Sequence, residues 1–185
     1  MNIIKPKHIL SIDPANNTGW CIFNKKCKII KYGFFTIKST NFLGDQLIEM
    51  MVKIMNLIKE NNIGDIVVED YFFSRKFRNG CNVNPAYRSA IYIIVRLMGL
   101  QYTIINPIDW KKFIVGRVKP TKEEIKLYGK EKAKKIIVRN ALKSKYSITF
   151  PDIIQNENGK DIALKYDIVD AVAIGIYYIR SMGDP

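Results

Sequence analysis

The stretch His8-Ile9-Leu10-Ser11-Ile12-Asp13 decides the fold, because it is a short apolar run that ends in an acid. Its length and composition predict a buried β-strand. Taking an unpaired carboxylate out of water is costly, so an acid at the end of a buried strand needs a partner. A divalent cation is one such partner, since Mg²⁺ and Mn²⁺ prefer oxygen ligands.

A second apolar run, Asp65-Ile66-Val67-Val68, ends in Glu69 in the same way. A fully apolar strand is typical of the middle of a sheet that is covered on both faces. Asp13 and Glu69 are therefore predicted to end neighbouring parallel strands. The carboxyl ends of parallel strands form the edge where α/β proteins usually carry their sites.

Hydrophobic periodicity predicts the remaining elements in the order β-β-β-α-β-α-β-α, followed by a C-terminal helix. The predicted strands cover residues 8–13, 19–23, 29–37, 66–68 and 102–105. The predicted helices cover residues 43–58, 85–97, 107–113, 121–145 and about 163–179, with a loop at 72–84. This is the order of the RNase H-like fold, an α/β fold with a central mixed five-stranded sheet and helices on both faces. At 185 residues, the chain is expected to form a single domain, 1–185.

Two further acids lie in the final predicted helix. Asp167 and Asp170 are three residues apart, so they share one face of that helix. If the helix crosses the sheet edge, its acids meet Asp13 and Glu69. Crowded carboxylates raise one another's pKa unless a cation neutralises them. Two Mg²⁺ ions, or two Mn²⁺ ions, would do so, and such a pair can activate water for phosphodiester hydrolysis.

Each acid also has a simpler interpretation. Asp13 could belong to a strand-ending turn with the proline that follows it, and Glu69 could pair with a Lys or Arg at the sheet rim. Asp167 could cap the final helix, and Asp170 could pair with a lysine. Asp70 competes with Glu69, because strand alternation lets only one of the two face the site. These interpretations do not explain why the four acids occur together in this order.

The overall composition indicates a soluble protein with a polyanionic partner. Net charge is +13, from 30 Lys+Arg and 17 Asp+Glu. A balance this basic points to a polyanion such as nucleic acid, or to a solvated basic surface. Three cysteines without a CxxC spacing argue against both a disulfide framework and a structural zinc site. We therefore expect an intracellular protein of a reducing compartment, in the cytoplasm of a bacterium or host cell.

Most of the net positive charge lies in one segment. Residues 110–145 contain 13 Lys+Arg and three Asp+Glu. Lysines along DNA contact phosphates and give salt-sensitive affinity without sequence preference. The candidate DNA-binding lysines are Lys111, Lys112, Lys130, Lys134 and Lys135. For any one of them the alternative is a solvated helix face.

A second candidate DNA-binding surface lies in the predicted loop. It comprises Arg75, Lys76 and Arg78 beside Phe72 and Phe73. Aromatic side chains among basic residues can stack on unpaired bases.

Four motifs together resemble the RuvC-type Holliday junction resolvases. The first runs from Ser11 to Trp20, where Asp13-Pro14 leads to Thr18-Gly19 and an aromatic residue. The second is the apolar strand ending in Glu69, and the third is Asn106-Pro107 followed by Lys111 and then Val115-Gly116. The fourth is Asp167-Ile168-Val169-Asp170-Ala171-Val172-Ala173-Ile174. The chain departs from the family pattern at residues 117–128, which separate the third motif from its basic segment.

This resemblance implies a metal-dependent endonuclease of DNA recombination and repair. Asp13, Glu69, Asp167 and Asp170 would be its catalytic, metal-binding acids. Phe72 falls where the family has an aromatic residue that wedges into the junction, although packing within the protein is an equal alternative. The resemblance also implies a homodimer that makes two symmetric nicks. Two alternatives stay open: a related nuclease acting on flaps, forks or RNA-DNA hybrids, and a catalytically silent module that binds branched DNA.

Overall fold

The computed structural model describes residues 8–38, 42–70, 84–156 and 158–181. Its strands are β1 (His8–Asp13), β2 (Asn17–Asn24), β3 (Ile29–Thr36), β4 (Ile63–Glu69), β5 (Gln101–Ile105), β6 (Ile153–Gln155) and β7 (Asp161–Ala163). Its helices are α1 (Leu43–Asn61), α2 (Asn84–Leu97), α3 (Pro107–Val115), α4 (Lys122–Tyr128), α5 (Lys130–Tyr146) and α6 (Tyr166–Ser181).

The central sheet has five strands in the order β3-β2-β1-β4-β5. Strands β3, β2 and β1 form an antiparallel meander, whereas β1, β4 and β5 run parallel. The parallel register pairs Ile12 with Val68, so Asp13 and Glu69 follow side by side at the same edge. The prediction of a central mixed five-stranded sheet is confirmed.

Alternation along the strands produces two hydrophobic cores, one on each sheet face. Leu10 and Ile12 of β1 point toward α1 and α2. Ile9 of β1 and Val67 of β4 point the other way, toward α3, α5 and α6. This second face is the one that Asp13 and Glu69 share by strand alternation.

Helix α6 lies directly against β1 and β2. A Cβ atom on Gly175 would stand 2.2 Å from the Phe23 ring and 2.8 Å from Ser11 Oγ, so the helix can come this close only with glycine there. The buried Ser11 hydroxyl donates a hydrogen bond of 2.7 Å to the Ala171 carbonyl oxygen. These contacts fix where α6 crosses the sheet.

The C-terminal third differs from the sequence prediction. The last helix begins at Tyr166 and not at Ala163, because residues 161–163 pair with residues 153–155 as the hairpin β6–β7. The basic segment 121–145 forms two helices and not one. Gly129 separates them, with a φ of 77° that only glycine adopts readily.

The predicted loop falls almost wholly outside the described residues, since only Asn84 is described and it opens α2. Within the described ranges, none of the helices combines the length and apolarity needed to span a membrane.

Candidate active site

Asp13 ends β1 at a turn that Thr18 closes. The buried Thr18 hydroxyl donates a hydrogen bond of 2.6 Å to the Ala15 carbonyl oxygen and accepts one of 3.3 Å from the Ala15 N–H. The turn is also held from the opposite sheet face, where the Tyr87 hydroxyl lies 3.0 Å from Asn16 Oδ1. A closed turn of this kind limits where the Asp13 side chain can point.

Gly19 brings the start of α6 onto Asp13. It pairs with Asp13 across β1 and β2. A Cβ atom at Gly19 would lie 2.0 Å from the Asp167 carbonyl oxygen, which no side chain allows. The Thr-Gly pair thus has two roles: the threonine shapes the turn, and the glycine admits the helix that carries Asp167 and Asp170.

Glu69, and not Asp70, faces this site. The Trp110 indole N–H donates a hydrogen bond of 2.8 Å to Glu69 Oε1, and Lys111 Nζ lies 3.8 Å from the same oxygen. Asp70 instead forms an ion pair with Arg88 of α2, and its N–H donates to the Ile105 carbonyl oxygen at 2.8 Å. Strand alternation therefore places Glu69 in the site and turns Asp70 away from it.

The pKa of the Asp13 carboxyl group is strongly raised. Burial raises its pKa well above the ordinary value of 3.8, and three neighbouring carboxylates raise it further. In decreasing order of effect these belong to Glu69, Asp170 and Asp167. All of these influences favour the protonated form of Asp13 when no cation is present.

The pKa values of the two acids of α6 are raised as well. Burial raises the pKa of Asp170 to about 7, with the Glu69 carboxylate as the next cause and Lys111 opposing it. Burial likewise raises the pKa of Asp167, against the nearby ammonium of Lys135. The four predicted acids therefore form one electrostatically coupled cluster.

Two of the predicted lysines border this cluster. Lys111 approaches Glu69 as described above, and Lys135 Nζ lies 4.0 Å from Asp167 Oδ1. The other three lie on exposed positions without a recorded contact to the acids: Lys112, Lys130 and Lys134. Lys134 pairs with Glu131 on its own helix at 2.8 Å. Phe72, Arg75, Lys76 and Arg78 lie outside the described residues.

The sequence analysis missed Trp110 as a site residue. Its side chain is fully buried, so its N–H needs an acceptor, and that acceptor is Glu69. The signal in the sequence was its position directly before Lys111, in a helix opened by Asn106 and Pro107. Which acceptor a buried indole finds depends on how α3 packs, and one sequence does not give that.

The donor set suits a hard divalent cation, because all four side chains offer carboxylate oxygens. Burial raises the pKa values of Asp13, Asp167 and Asp170, and neighbouring carboxylates raise those of Asp13 and Asp170 further. In the part of the chain that the structure describes, however, no group of three or more His, Cys, Asp or Glu side chains is already arranged to hold a metal ion.

Comparison with known proteins gives the family. The crossover junction endodeoxyribonuclease RuvC of Sulfurovum sp. (strain NBC37-1) is 31% identical over 123 residues, which cover 64% of this chain and 76% of that protein. The chain belongs to the RuvC family. The RuvC of Dictyoglomus thermophilum is 25% identical over 175 residues, covering 92% of this chain and 95% of its own length. The suspected family relationship is thereby confirmed.

Solved structures agree on the fold. Thermus thermophilus RuvC in complex with Holliday junction substrate superposes with a TM-score of 0.59 at 12% identity, covering 96% of this chain and 97% of that one. The RNase H-like architecture predicted from the sequence is confirmed by this RuvC fold. No family model matches the chain.

Proposed function

We propose that this protein is a structure-selective DNA endonuclease of the RuvC type, which resolves four-way junctions by phosphodiester hydrolysis. The observation that carries the proposal is the coupled cluster of Asp13, Glu69, Asp167 and Asp170 at one sheet edge, in a chain of the RuvC family. The two RuvC relatives are named crossover junction endodeoxyribonucleases, and the Thermus thermophilus structure is of a complex with a Holliday junction. A net charge of +13 fits a nucleic-acid substrate.

The four carboxylates are proposed to hold two Mg²⁺ ions, with Mn²⁺ as a substitute. When bound, such ions would activate water and stabilise the leaving oxygen. The chain's own contribution is to present carboxylates of raised pKa that give up their protons as a cation arrives. Because the pKa values of Asp13 and Asp170 are raised, cation affinity should rise with pH as these two groups lose their protons.

Lys111 and Lys135 are proposed to receive the scissile phosphate. Each ammonium lies at 4.0 Å or less from a carboxylate of the cluster, so each is near any phosphate bound there. Their charge would offset the negative charge that builds up in the transition state. The exposed Lys112, Lys130 and Lys134 are proposed to contact the DNA backbone farther out, and the candidate surface at Phe72, Arg75, Lys76 and Arg78 stays a prediction.

A homodimer is proposed to form through α2. One face of this helix belongs to the core, with Tyr87 and Ile91 fully buried. Its outer face exposes Ile93 by 49% and Leu97 by 80%, one helical turn apart. Exposed apolar side chains stacked on one helix are typical of an interface. A two-fold dimer would match the two-fold symmetry of a four-way junction.

The proposal is tested by cleavage of a labelled four-way junction, a flap and an RNA-DNA hybrid in parallel, with Mg²⁺ or with EDTA. We expect the junction alone to be nicked symmetrically in Mg²⁺ and the activity to disappear in Asp170→Asn. Preferred cleavage of the flap or the hybrid would instead support a related RNase H-fold nuclease. Binding of the junction without any cleavage would contradict the enzyme assignment and favour a silent DNA-binding module.

A further inference from the structure

Trp110 touches two members of the candidate site at once. Its indole N–H donates to Glu69 Oε1 at 2.8 Å. The face of its ring lies under Lys111, whose Nζ is 4.7 Å from the ring centroid. That ammonium is also 3.8 Å from the same Glu69 oxygen. The indole therefore contacts Glu69 through its N–H and Lys111 through its ring face.

The two groups that approach Glu69 Oε1, the hydrogen-bonded indole and the ion-paired ammonium, differ in charge and in mobility. An indole N–H is neutral, is a donor only, and keeps its proton over the whole pH range in which proteins are folded. Trp110 is fully buried, whereas the Lys111 side chain is 31% exposed. A cation arriving at Glu69 would repel the ammonium but not the indole. Trp110 can stay in place while Lys111 turns toward a phosphate.

We propose that Trp110 is a positioning residue of the nuclease site: its N–H fixes one carboxylate oxygen of Glu69, leaving the other for a divalent cation, and its ring supports Lys111. The inference rests on the function proposed above, because it assigns the indole a part in cation binding. A Glu69 carboxylate that is already oriented loses less side-chain freedom when a cation binds. Hydrogen-bond partners of metal ligands commonly change metal affinity by about 10- to 100-fold.

The chain offers a direct spectroscopic test, because it contains two tryptophans. Trp20 packs in the core on the opposite sheet face, with α1 and α2. In Trp20→Phe, Trp110 is the only indole, and its emission should shift on titration with Mg²⁺. The same titration should leave the emission of Trp110→Phe unchanged, since that variant reports from Trp20 alone. An unchanged Trp110 emission at Mg²⁺ concentrations that saturate binding would overturn the proposal.

Calorimetric titration with Mg²⁺ measures the affinity itself. Trp110→Phe keeps an aromatic ring but lacks the N–H, and we expect its Mg²⁺ affinity to fall by about 10-fold or more. The matched control, Trp20→Phe, should bind like the wild type. Combining Trp110→Phe with Glu69→Gln should cost less than the sum of the two single changes, because the indole acts through Glu69.

Junction cleavage provides a second signature. The rate of Trp110→Phe should be low at limiting Mg²⁺ and recover toward the wild-type rate in excess Mg²⁺. Urea unfolding in EDTA shows whether the low cleavage rate of Trp110→Phe comes from a loss of folding. The fluorescence test on Trp20→Phe does not depend on the stability of Trp110→Phe. Wild-type Mg²⁺ affinity in a folded Trp110→Phe would refute the positioning role alone. Failure of the wild type to bind Mg²⁺ or cut junctions would refute the proposed function instead.

Discussion

Replacing Asp170 by Asn should remove part of the pH dependence of stability between about pH 4 and pH 7 in the absence of divalent cations. In the folded protein the pKa of Asp170 is raised from 3.8 to about 7. Between these values the folded state holds a proton that the unfolded state has released, so the free energy of unfolding falls as pH rises. Asp170 contributes its full stability below about pH 4 and has lost it above about pH 7.

The magnitude follows from the size of the shift. A change of about 3 pKa units, at 1.36 kcal/mol each, gives about 4 kcal/mol for Asp170. This is an upper bound, because part of the shift comes from the charge of the neighbouring Glu69 and is not a property of Asp170 alone. An asparagine has the same shape without the charge, so it relieves the repulsion on Asp13 and Glu69 at every pH.

The assay is urea unfolding in EDTA at half-unit steps from pH 4 to pH 8. The wild type should lose a few kcal/mol across this range, and Asp170→Asn should lose less and be the more stable protein at pH 8. Asp161→Asn is the matched control, since Asp161 is an exposed acid on β7, and it should follow the wild-type curve. Equal slopes for the wild type and Asp170→Asn would refute the argument that Asp170 is a repelled, partly buried acid.

Two further changes probe the packing around the site and the dimer. Gly19→Ala should cost about 1–3 kcal/mol in urea unfolding and abolish cleavage, because the new Cβ would meet the Asp167 carbonyl oxygen at 2.0 Å. The control is Gly44→Ala, whose Cβ meets nothing within 4 Å and which should cost nothing. Equal behaviour of the two variants would argue against the close approach of α6. The double variant Ile93→Asp, Leu97→Asp should raise the dissociation constant of the dimer by about tenfold or more, as measured by sedimentation equilibrium. An unchanged constant would exclude this face of α2 as the interface.

The sheet and its acidic edge could be predicted because they depend on local patterns. Apolar runs that end in Asp13 and Glu69 predict buried strands with polar ends, and the strand order follows from the spacing of such runs. The resemblance to the family selected Glu69, but the strand pattern alone left Asp70 as a competitor, because the choice depends on which sheet face α6 covers. The ion pair that occupies Asp70 involves Arg88, which is distant in sequence.

The start of α6 was predicted too early for a different reason. Residues 161–163 continue the helical pattern in composition, but they pair with residues 153–155 in a short hairpin. Tertiary pairing of this kind overrides a local preference and leaves little signal in one sequence. The hydrogen bond from Trp110 to Glu69 was missed on similar grounds, because it exists only once α3 has packed beside β4.

The most direct test of the central claim uses a supercoiled plasmid that carries an extruded cruciform. Two symmetric nicks made within the lifetime of one complex convert this plasmid to a linear product, whereas single nicks release the supercoiling and leave a nicked circle. With Mg²⁺ we predict linear plasmid as the main product, and uncut plasmid with EDTA or with Asp170→Asn. Accumulation of nicked circles without linear product, or cutting by Asp170→Asn at the wild-type rate, would contradict a dimeric junction resolvase that works through this acidic cluster.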